Sequence, residues 1–543
     1  MELRTIPKYD RMYHVQNRKK GLEKLQSSKK EKVQKKLFSV IYGRTAILLL
    51  FVLVQFAAMF LGIYALADKW TYLYGVFMII GFFVVIYIIN SEENPAFKMT
   101  WILCIMALPL FGSIFYIYVK TQLGTRYIGK RLRVLREESS PYMQQDMGII
   151  SAMKESKLAN KNLSYYLGKH LGFPTYGNTD MEFYPLGEDK FKALIRELKK
   201  AEHFIFMEYF IVEESYMWDE VRRILEDKVS EGVEVRFMYD GMCSISMLPY
   251  DYPKYLRSRG IQCKMFNPIR PILSTIQNNR DHRKICVIDG KVGFTGGINL
   301  GDEYINRKER FGHWKDTAIM LSGDAVRSLT VMFLNMWNVD ERKSENYDRY
   351  VRPAKKIFDE SLGYVLPYGD CPYDNENVGE EVYFHILNHA KDYVHIMTPY
   401  LILDNEMLTT LTRVAKSGIE VIIIMPHIPD KPYAFAVAKT YYKELIEAGV
   451  EIYEYTPGFV HAKIFVSDDD TATVGTINLD FRSLYLHFEN GVFIYNNKVV
   501  ADIEKDFQET LQKCQRVTLK EVRERSLKTK IEGQILRLFA PLM

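Results

Sequence analysis

The hydrophobic pattern divides the 543-residue chain into two parts. Three windows without any charged residue occupy the N-terminal part, at 45–67, 70–91 and 99–119. Each has about the twenty residues that a helix needs to cross roughly 30 Å of hydrocarbon. From about residue 150 onwards, short apolar strands alternate with amphipathic helices. The pattern therefore predicts N-terminal transmembrane helices followed by an α/β body.

The α/β body contains an internal repeat. Three stretches of its first half resemble stretches of its second half in the same order: 202–212 and 392–402, 231–241 and 417–427, and 260–268 and 449–457. Each half is a βα unit that is too small to form a site by itself. We therefore expect two βα repeats, in which sheets are flanked by helices, packed around one shared active site.

The same pattern predicts the domain organisation. We expect five regions: a flexible basic arm at 1–44, a membrane module of two or three segments at 45–120, a basic juxtamembrane linker at 121–150, a first repeat at 151–345, and a second repeat with a basic C-terminal helix at 346–543. Residues 513–537 hold eight Lys or Arg and three Asp or Glu, and an apolar end follows. This composition fits a helix on a bilayer surface or an ordinary surface helix.

The charge distribution bears on topology. The chain carries a formal net charge of +5, but residues 1–44 hold 13 basic and 4 acidic residues, and residues 120–136 hold six basic and no acidic ones. The positive-inside rule places both flanks in the cytoplasm, which three full crossings do not allow. Either one segment is re-entrant, or the first two form a hairpin near Asp68. We expect a multi-pass protein of a bacterial cell membrane with a cytoplasmic catalytic body.

The strongest signal is a motif, H-x-K-x4-D-x6-G-[GT]-I-N, that occurs once in each repeat. Its polar members are His282, Lys284, Asp289 and Asn299 in the first copy and His461, Lys463, Asp468 and Asn478 in the second. In an extended stretch, a His and a Lys two residues apart project to the same face. Two copies would bring two imidazoles and two ammonium groups to one cleft.

Such a cleft suits the chemistry of phosphodiesters. One imidazole can attack phosphorus while the other protonates the leaving oxygen and then activates an incoming alcohol. The lysines and asparagines can donate hydrogen bonds to phosphoryl oxygens. We include Asp289 and Asp468 among the catalytic positions of the motif, although their place at strand ends favours structural turn contacts.

Two further acids follow the histidines at similar distances. Asp316 comes 34 residues after His282, and Glu489 comes 28 residues after His461. A carboxylate on the far imidazole nitrogen would fix the tautomer of a catalytic histidine, whereas the alternative is a pair of surface salt bridges. No H-x-x-E-H or similar metal-ligand pattern occurs near these residues, so we expect no metal and no other cofactor. The six cysteines lie apart, without a C-x-x-C pair, and predict no disulfide framework.

The paired motifs resemble the phospholipase D superfamily, and the N-terminal windows narrow the resemblance to bacterial-type cardiolipin synthases. Further similar stretches are NPAFKMTW at 94–101, LPLFG at 108–112, EYF at 208–210, WKDT at 314–317 and NLDFRS at 478–483. The resemblance covers the chain from about residue 45 to its end. His487 departs from it, since this family more often has Asn before the Phe-Glu pair.

The resemblance implies transfer of a phosphatidyl group between two phosphatidylglycerols, which yields cardiolipin and glycerol through a phosphohistidine without a metal. It also implies catalytic roles for His282 and His461, phosphate binding by Lys284 and Lys463, and histidine orientation by Asp316 and Glu489. We take His282 as the nucleophile and His461 as the acid and base. The expected partners are phosphatidylglycerol and anionic membrane lipid, with no nucleic acid; a homo-oligomer is left open.

Three other functions stay open at this point. A membrane-anchored phospholipase D would resolve the same intermediate with water. A phosphodiesterase acting on nucleic acid would use the same motifs, and the basic arm favours it, but the apolar windows oppose it. A noncatalytic scaffold is disfavoured because both motifs are intact.

Overall fold

The computed structural model of the protein describes residue 57 and residues 67–120, 123–155, 160–269, 275–341, 343, 345–351 and 362–542. The basic arm predicted at 1–44 and nearly all of the first apolar window lie outside these residues. The described residues form two units. One contains residues 67–92 and 101–120, and the other contains residues 93–100 and the described residues from 123 onwards.

The first unit is helical. The helices of this region are Ala67–Ile89, Pro95–Ala107 and Pro109–Lys120. The window at 99–119 is thus not one continuous segment, because Pro109 disfavours helical backbone at the residue before it. Gly112 allows the last two helices to approach closely, since a Cβ atom at this position would lie 2.8 Å from the Cys104 carbonyl oxygen. Over the residues that the structure describes, no helix combines the length and apolar character needed to cross a bilayer.

The second unit contains two large sheets, one from each repeat. The strands of the first repeat are β1 (Thr179–Tyr184), β2 (Phe204–Tyr209), β3 (Glu234–Asp240), β4 (Gln262–Phe266), β5 (Lys284–Ile288), β6 (Val292–Gly296), β7 (His313–Lys315) and β8 (Ala318–Gly323). Seven of them form a sheet in the order β1-β8-β6-β5-β2-β3-β4, and β7 lies outside it. Motif strand β5 therefore lies in the middle of the sheet.

The second repeat has an equivalent sheet. Its strands are β9 (Tyr364–Asp370), β10 (Tyr393–Met397), β11 (Glu420–Pro426), β12 (Glu451–Tyr455), β13 (Gly458–Val460), β14 (Ile464–Ser467), β15 (Thr471–Gly475), β16 (Glu489–Tyr495) and β17 (Cys514–Arg516). Their order is β9-β16-β15-β14-β10-β11-β12-β17. Apart from the added β17, this is the order of the first sheet. The predicted duplication of an α/β unit is confirmed.

Helices flank both sheets. Those of the first repeat are Gly187–Lys199, Tyr216–Ser230, Cys243–Ser246, Tyr252–Ser258 and Val326–Trp337. Those of the second are Val378–His389, Asn405–Lys416, Pro432–Glu447, Phe481–Tyr485, Val499–Leu511, Leu519–Glu524 and Leu527–Arg537. The helices after β2 and β10 begin in the same way, with a side-chain cap from Ser215 and Asp404 respectively.

Parts of the predicted membrane module and linker belong to this second unit. Asn94 donates hydrogen bonds to Asp404 (3.1 Å) and to the Tyr485 hydroxyl (2.9 Å). Before the first strand of this unit come the helices Leu123–Ser139, Met147–Glu155 and Lys161–Tyr165. In the first of these, Arg136 lies 2.7 Å from the Asp374 carboxylate. The five domain boundaries given above stay predictions.

Candidate active site

Two short parallel contacts join the repeats beside the motif histidines. Strand β7 pairs with β13, and the Lys315 carbonyl accepts the backbone N–H of His461 at 2.7 Å. An isolated bridge pairs Asp281 with Phe488, and the Phe488 carbonyl accepts the backbone N–H of His282 at 2.9 Å. The backbone N–H of each motif histidine is thus hydrogen-bonded to the other repeat. The residue that follows each accepting carbonyl is one of the two candidate acids.

These two contacts between the repeats determine which acid is hydrogen-bonded to which histidine. Nδ1 of His282 lies 2.9 Å from Oε2 of Glu489, and Nδ1 of His461 lies 2.6 Å from Oδ2 of Asp316. The spacing along the chain suggested acids from the same repeat, and that pairing is wrong. Each repeat supplies the carboxylate for the histidine of the other repeat, so neither pair forms in one repeat alone.

The charges of these pairs follow from burial. Burial lowers the pKa of His282 well below its usual value and lowers the pKa of His461 to about 4, although the acids oppose this. Burial by itself would raise the pKa values of Asp316 and Glu489, but the contacts with the histidines outweigh it and lower both. Each pair is therefore a neutral imidazole whose Nδ1–H donates to a carboxylate. In this tautomer, Nε2 of each ring carries the lone pair.

The motif lysines are buried next to the histidines. Nζ of Lys284 donates to the backbone carbonyl of His282 at 2.6 Å, and Lys463 makes the same contact with His461. Burial lowers the pKa of Lys284 to about 7 and that of Lys463 to about 8, and the Glu489 and Asp316 carboxylates offset only part of this effect. An anion in the cleft would favour the charged form of both lysines.

The motif asparagines are held within their own repeats. Asn299 accepts the Ile211 N–H at 3.0 Å and donates to the Tyr304 hydroxyl at 3.0 Å. Asn478 donates to the Ser483 hydroxyl at 3.0 Å. Each amide nitrogen has two N–H groups, so these contacts leave a second donor on each. Their predicted role as phosphate donors stays a prediction.

The motif aspartates lie at the far ends of the motif strands. Asp289 follows β5 and accepts the backbone N–H groups of residues 202, 203 and 204 at 2.7–2.9 Å. Asp468 follows β14 and accepts those of residues 391, 392 and 393 at 2.8–3.1 Å. At roughly 3.3 Å per residue, five residues place each carboxylate about 16 Å along the strand from its motif lysine. We assign both a structural role, in place of the catalytic positions that the motif suggested.

Sequence reasoning missed two further contacts of the acids. Thr476 in the second motif donates its hydroxyl to Glu489, and this adds a second donor to the carboxylate. The equivalent residue in the first motif is Gly297, where an added Cβ atom would lie 2.0 Å from Oδ1 of Asp316. Gly297 and Thr476 occupy the second position of the G-[GT]-I-N stretch. The difference between the repeats at this position is the sequence signal that could have revealed both contacts.

Known proteins are similar to this chain over most of its length. A profile of the family described as "Cardiolipin synthase, PLD-like domain" matches residues 194–337 and 383–511, one segment in each repeat. A cardiolipin synthase of Geobacillus sp. (strain WCH70) is 34% identical over 85% of this chain and 92% of its own length. Cardiolipin synthase 2 of Bacillus anthracis is 32% identical over 86% of this chain and 91% of its own.

Two further proteins are similar to this chain. An uncharacterized protein of Streptococcus mutans serotype c (strain ATCC 700610 / UA159) is 50% identical over 84% of this chain and 99% of its own length. The crystal structure of phosphatidylserine synthase from Haemophilus influenzae Rd KW20 superposes with a TM-score of 0.51 at 16% identity, over 67% of this chain and 93% of that one; this likeness concerns the fold. The chain belongs to the bacterial cardiolipin synthase family, with its duplicated phospholipase D-like domain.

Proposed function

We propose that this chain is a phosphatidyltransferase that makes cardiolipin from two phosphatidylglycerols through a phosphohistidine. The observation that carries the proposal is the pair of buried imidazole–carboxylate contacts, His282–Glu489 and His461–Asp316, each completed by the opposite repeat. This arrangement would offer two Nε2 lone pairs and two buried lysines to a single phosphodiester. The cardiolipin synthases that match over most of this chain support the choice of lipid substrate.

In the first step, Nε2 of His282 attacks the phosphorus of one phosphatidylglycerol. A P–N bond forms, the P–O bond to the headgroup glycerol breaks, and protonated His461 gives its proton to the leaving oxygen. Burial lowers the pKa of both histidines. An anionic phosphate in the cleft would favour the protonated His461 ring that this step requires. We propose His282 as the nucleophile.

In the second step, His461 removes the proton from a hydroxyl of a second phosphatidylglycerol. That oxygen attacks the phosphorus, a P–O bond forms and the P–N bond to His282 breaks, which gives cardiolipin and restores both rings. Lys284 and Lys463 would stabilise the charge on the phosphoryl oxygens in both steps. Water in place of the lipid hydroxyl would give phosphatidic acid instead.

A lipid turnover assay tests this proposal. Purified full-length protein given labelled phosphatidylglycerol in mixed micelles should release glycerol and form cardiolipin in equal amounts. Phosphatidic acid as the main product would show a lipid hydrolase and not a transferase. DNA cleavage without lipid turnover would contradict both lipid activities and favour a nuclease. A preparation carrying His461→Ala is the matched control for contaminating lipases.

We further propose that the enzyme resides in the bacterial cell membrane as a multi-pass protein with a cytoplasmic body. Large apolar side chains are exposed on both units: Phe82, Phe83 and Met106 on the first, and Leu527, Ile531 and Ile535 on the helix Leu527–Arg537. Lys528 and Lys530 accompany the latter three on that helix. Exposed apolar surface of this kind marks interaction with a membrane or a partner, and basic residues beside it favour anionic lipid.

Extraction and protease protection test the membrane proposal. Sodium carbonate at high pH should leave the chain in the membrane pellet, and protease added to sealed inside-out vesicles should degrade the catalytic body. Release of intact protein by carbonate would exclude membrane-spanning segments. Protection of the body in inside-out vesicles, with cleavage in right-side-out ones, would reverse the topology.

A further inference from the structure

His487 breaks the symmetry between the two halves of the site. It lies two residues before Glu489, and Trp314 lies two residues before Asp316. His487 packs against His282, the partner of Glu489, and Trp314 packs against His461, the partner of Asp316. The ring centroids of Trp314 and His461 are 5.3 Å apart, and those of His487 and His282 are 5.6 Å apart. One half of the site therefore has a third potential ligand or base, and the other half has an indole.

The ring nitrogens of His487 make no hydrogen bond to the described residues. Its side chain is 9% exposed, yet neither nitrogen has a hydrogen-bond partner among the described residues. A neutral imidazole has a lone pair on one of its two ring nitrogens. A buried histidine that makes no hydrogen bond is unusual and requires an explanation.

Glu489 faces both histidines with one oxygen. Its Oε1 lies 2.8 Å from Nδ1 of His282 and 3.7 Å from Nδ1 of His487. One ligand atom from each of these three residues can be chosen so that all lie within 4.8 Å of one another. Zinc holds His nitrogens and carboxylate oxygens at about 2.0–2.2 Å, so two ligand atoms of one ion lie roughly 3–3.5 Å apart. Small rotations of the rings would bring the three groups to that spacing.

We propose that His282, His487 and Glu489 form an inhibitory site for a zinc ion. Two imidazoles and one carboxylate are a ligand set that zinc accepts, with a fourth position for water. The harder Mg²⁺ ion prefers oxygen ligands and would bind poorly here. Lys284 and Lys463 are cationic neighbours that oppose a metal ion, so binding would be weaker than at a structural zinc site.

The inhibition follows from the tautomer of His282. For Nδ1 to bind zinc, its proton must move to Nε2, and Nε2 then has no lone pair for phosphorus. The ion would also draw Glu489 away from its hydrogen bond with His282. This inhibitory effect rests on the nucleophilic role proposed for His282, whereas the binding of zinc does not.

Binding is tested first, without lipid. Full-length protein in detergent, titrated with Zn²⁺ at buffered free concentrations, should bind one more equivalent than the His487→Asn variant, and zinc should raise its melting temperature. His203→Asn, which removes an exposed histidine elsewhere, is the matched control and should bind like the parent. All proteins carry His389→Ala, because the stacked His385–His389 pair could hold a second ion. Equal binding by the parent and His487→Asn would overturn the site.

Inhibition is tested second, as the ratio of transferase activity with and without Zn²⁺ within each protein. Zinc should inhibit the parent and His203→Asn, Mg²⁺ at the same concentration should not, and the inhibitory zinc concentration should rise at least about tenfold in His487→Asn, which has lost one of three ligands. Equal potency in the parent and His487→Asn would overturn the proposal. Binding of one zinc ion without inhibition would overturn the inhibitory role and would count against His282 as the nucleophile. Cardiolipin synthesis in the absence of zinc would still support the proposed function.

Discussion

Replacing either His282 or His461 by alanine is expected to lower phosphatidyl transfer by about a thousandfold or more, for two different reasons. Without His282 no P–N bond can form, and the reaction loses its covalent intermediate. Without His461 the leaving glycerol oxygen departs unprotonated, and the second lipid hydroxyl keeps its proton. Cardiolipin formation from labelled phosphatidylglycerol measures both losses.

An activated substrate separates the two roles. A phosphatidyl ester of nitrophenol has a leaving group that needs no proton, so His461→Ala should release nitrophenol in a single burst. The phosphatidyl group should then remain on His282, because no base activates the acceptor. His282→Ala should show neither the burst nor the labelled protein. Acid-labile, alkali-stable label, located by peptide mass spectrometry, identifies the residue.

Other outcomes lead to different conclusions. A burst in His282→Ala together with none in His461→Ala would exchange the roles of the two histidines. Activity like that of the parent in either variant would rule out a shared site built from both repeats. His389→Ala, which alters an exposed histidine on the helix Val378–His389, is the matched control and should resemble the parent.

Much of the fold and the centre of the site could be predicted from local patterns. Strand and helix periods placed each βα unit, and the sequence repeat implied two similar halves, each with a sheet, as the structure shows. The two-residue spacing in H-x-K put each imidazole and ammonium group together, since neighbouring side chains on one face of an extended chain are two residues apart. Both predictions needed only contacts that are close in sequence.

The rest depended on contacts between distant parts of the chain. The pairing of Asp316 with His461 follows from β7 meeting β13, and no local pattern specifies which strands of two repeats will meet. Asp289 belongs to the same motif as His282, yet the direction of β5 carries it to the opposite end of the strand. His487 lies where the sequence resemblance more often has Asn, and its lack of hydrogen bonds is visible only once Glu489 and His282 are positioned around it.

Exchanging one acid at a time for its amide is expected to reveal the crossed pairing. Asp316→Asn removes the negative charge that stabilises protonated His461, and Glu489→Gln removes the charge beside His282. Each should lower kcat by about a hundredfold or more, because acid–base catalysis depends on the tautomer and charge of the ring. The size of the loss does not show which histidine is affected, but the pH profile of the first step does.

The two amide variants should shift opposite limbs of that profile. A carboxylate next to an imidazole raises its pKa, so removing the Asp316 charge lowers the pKa of His461. Less His461 is then protonated at any pH, and the alkaline limb, where the acid loses its proton, moves to lower pH in Asp316→Asn. Removing the Glu489 charge lowers the pKa of His282, so this ring stays neutral to lower pH. The acid limb, where the nucleophile gains a proton, moves to lower pH in Glu489→Gln.

The profile also tests whether the pairing crosses between repeats. If each acid served the histidine of its own repeat, Asp316→Asn would move the acid limb and Glu489→Gln the alkaline limb, which is the reverse of the expected result. Asp468→Asn is the matched control, since its carboxylate accepts three backbone N–H groups at the far end of β14. It should lower the melting temperature and leave both limbs in place. Limbs that move in this control as well would mean that loss of stability causes the shifts, and the crossed pairing would lose its support.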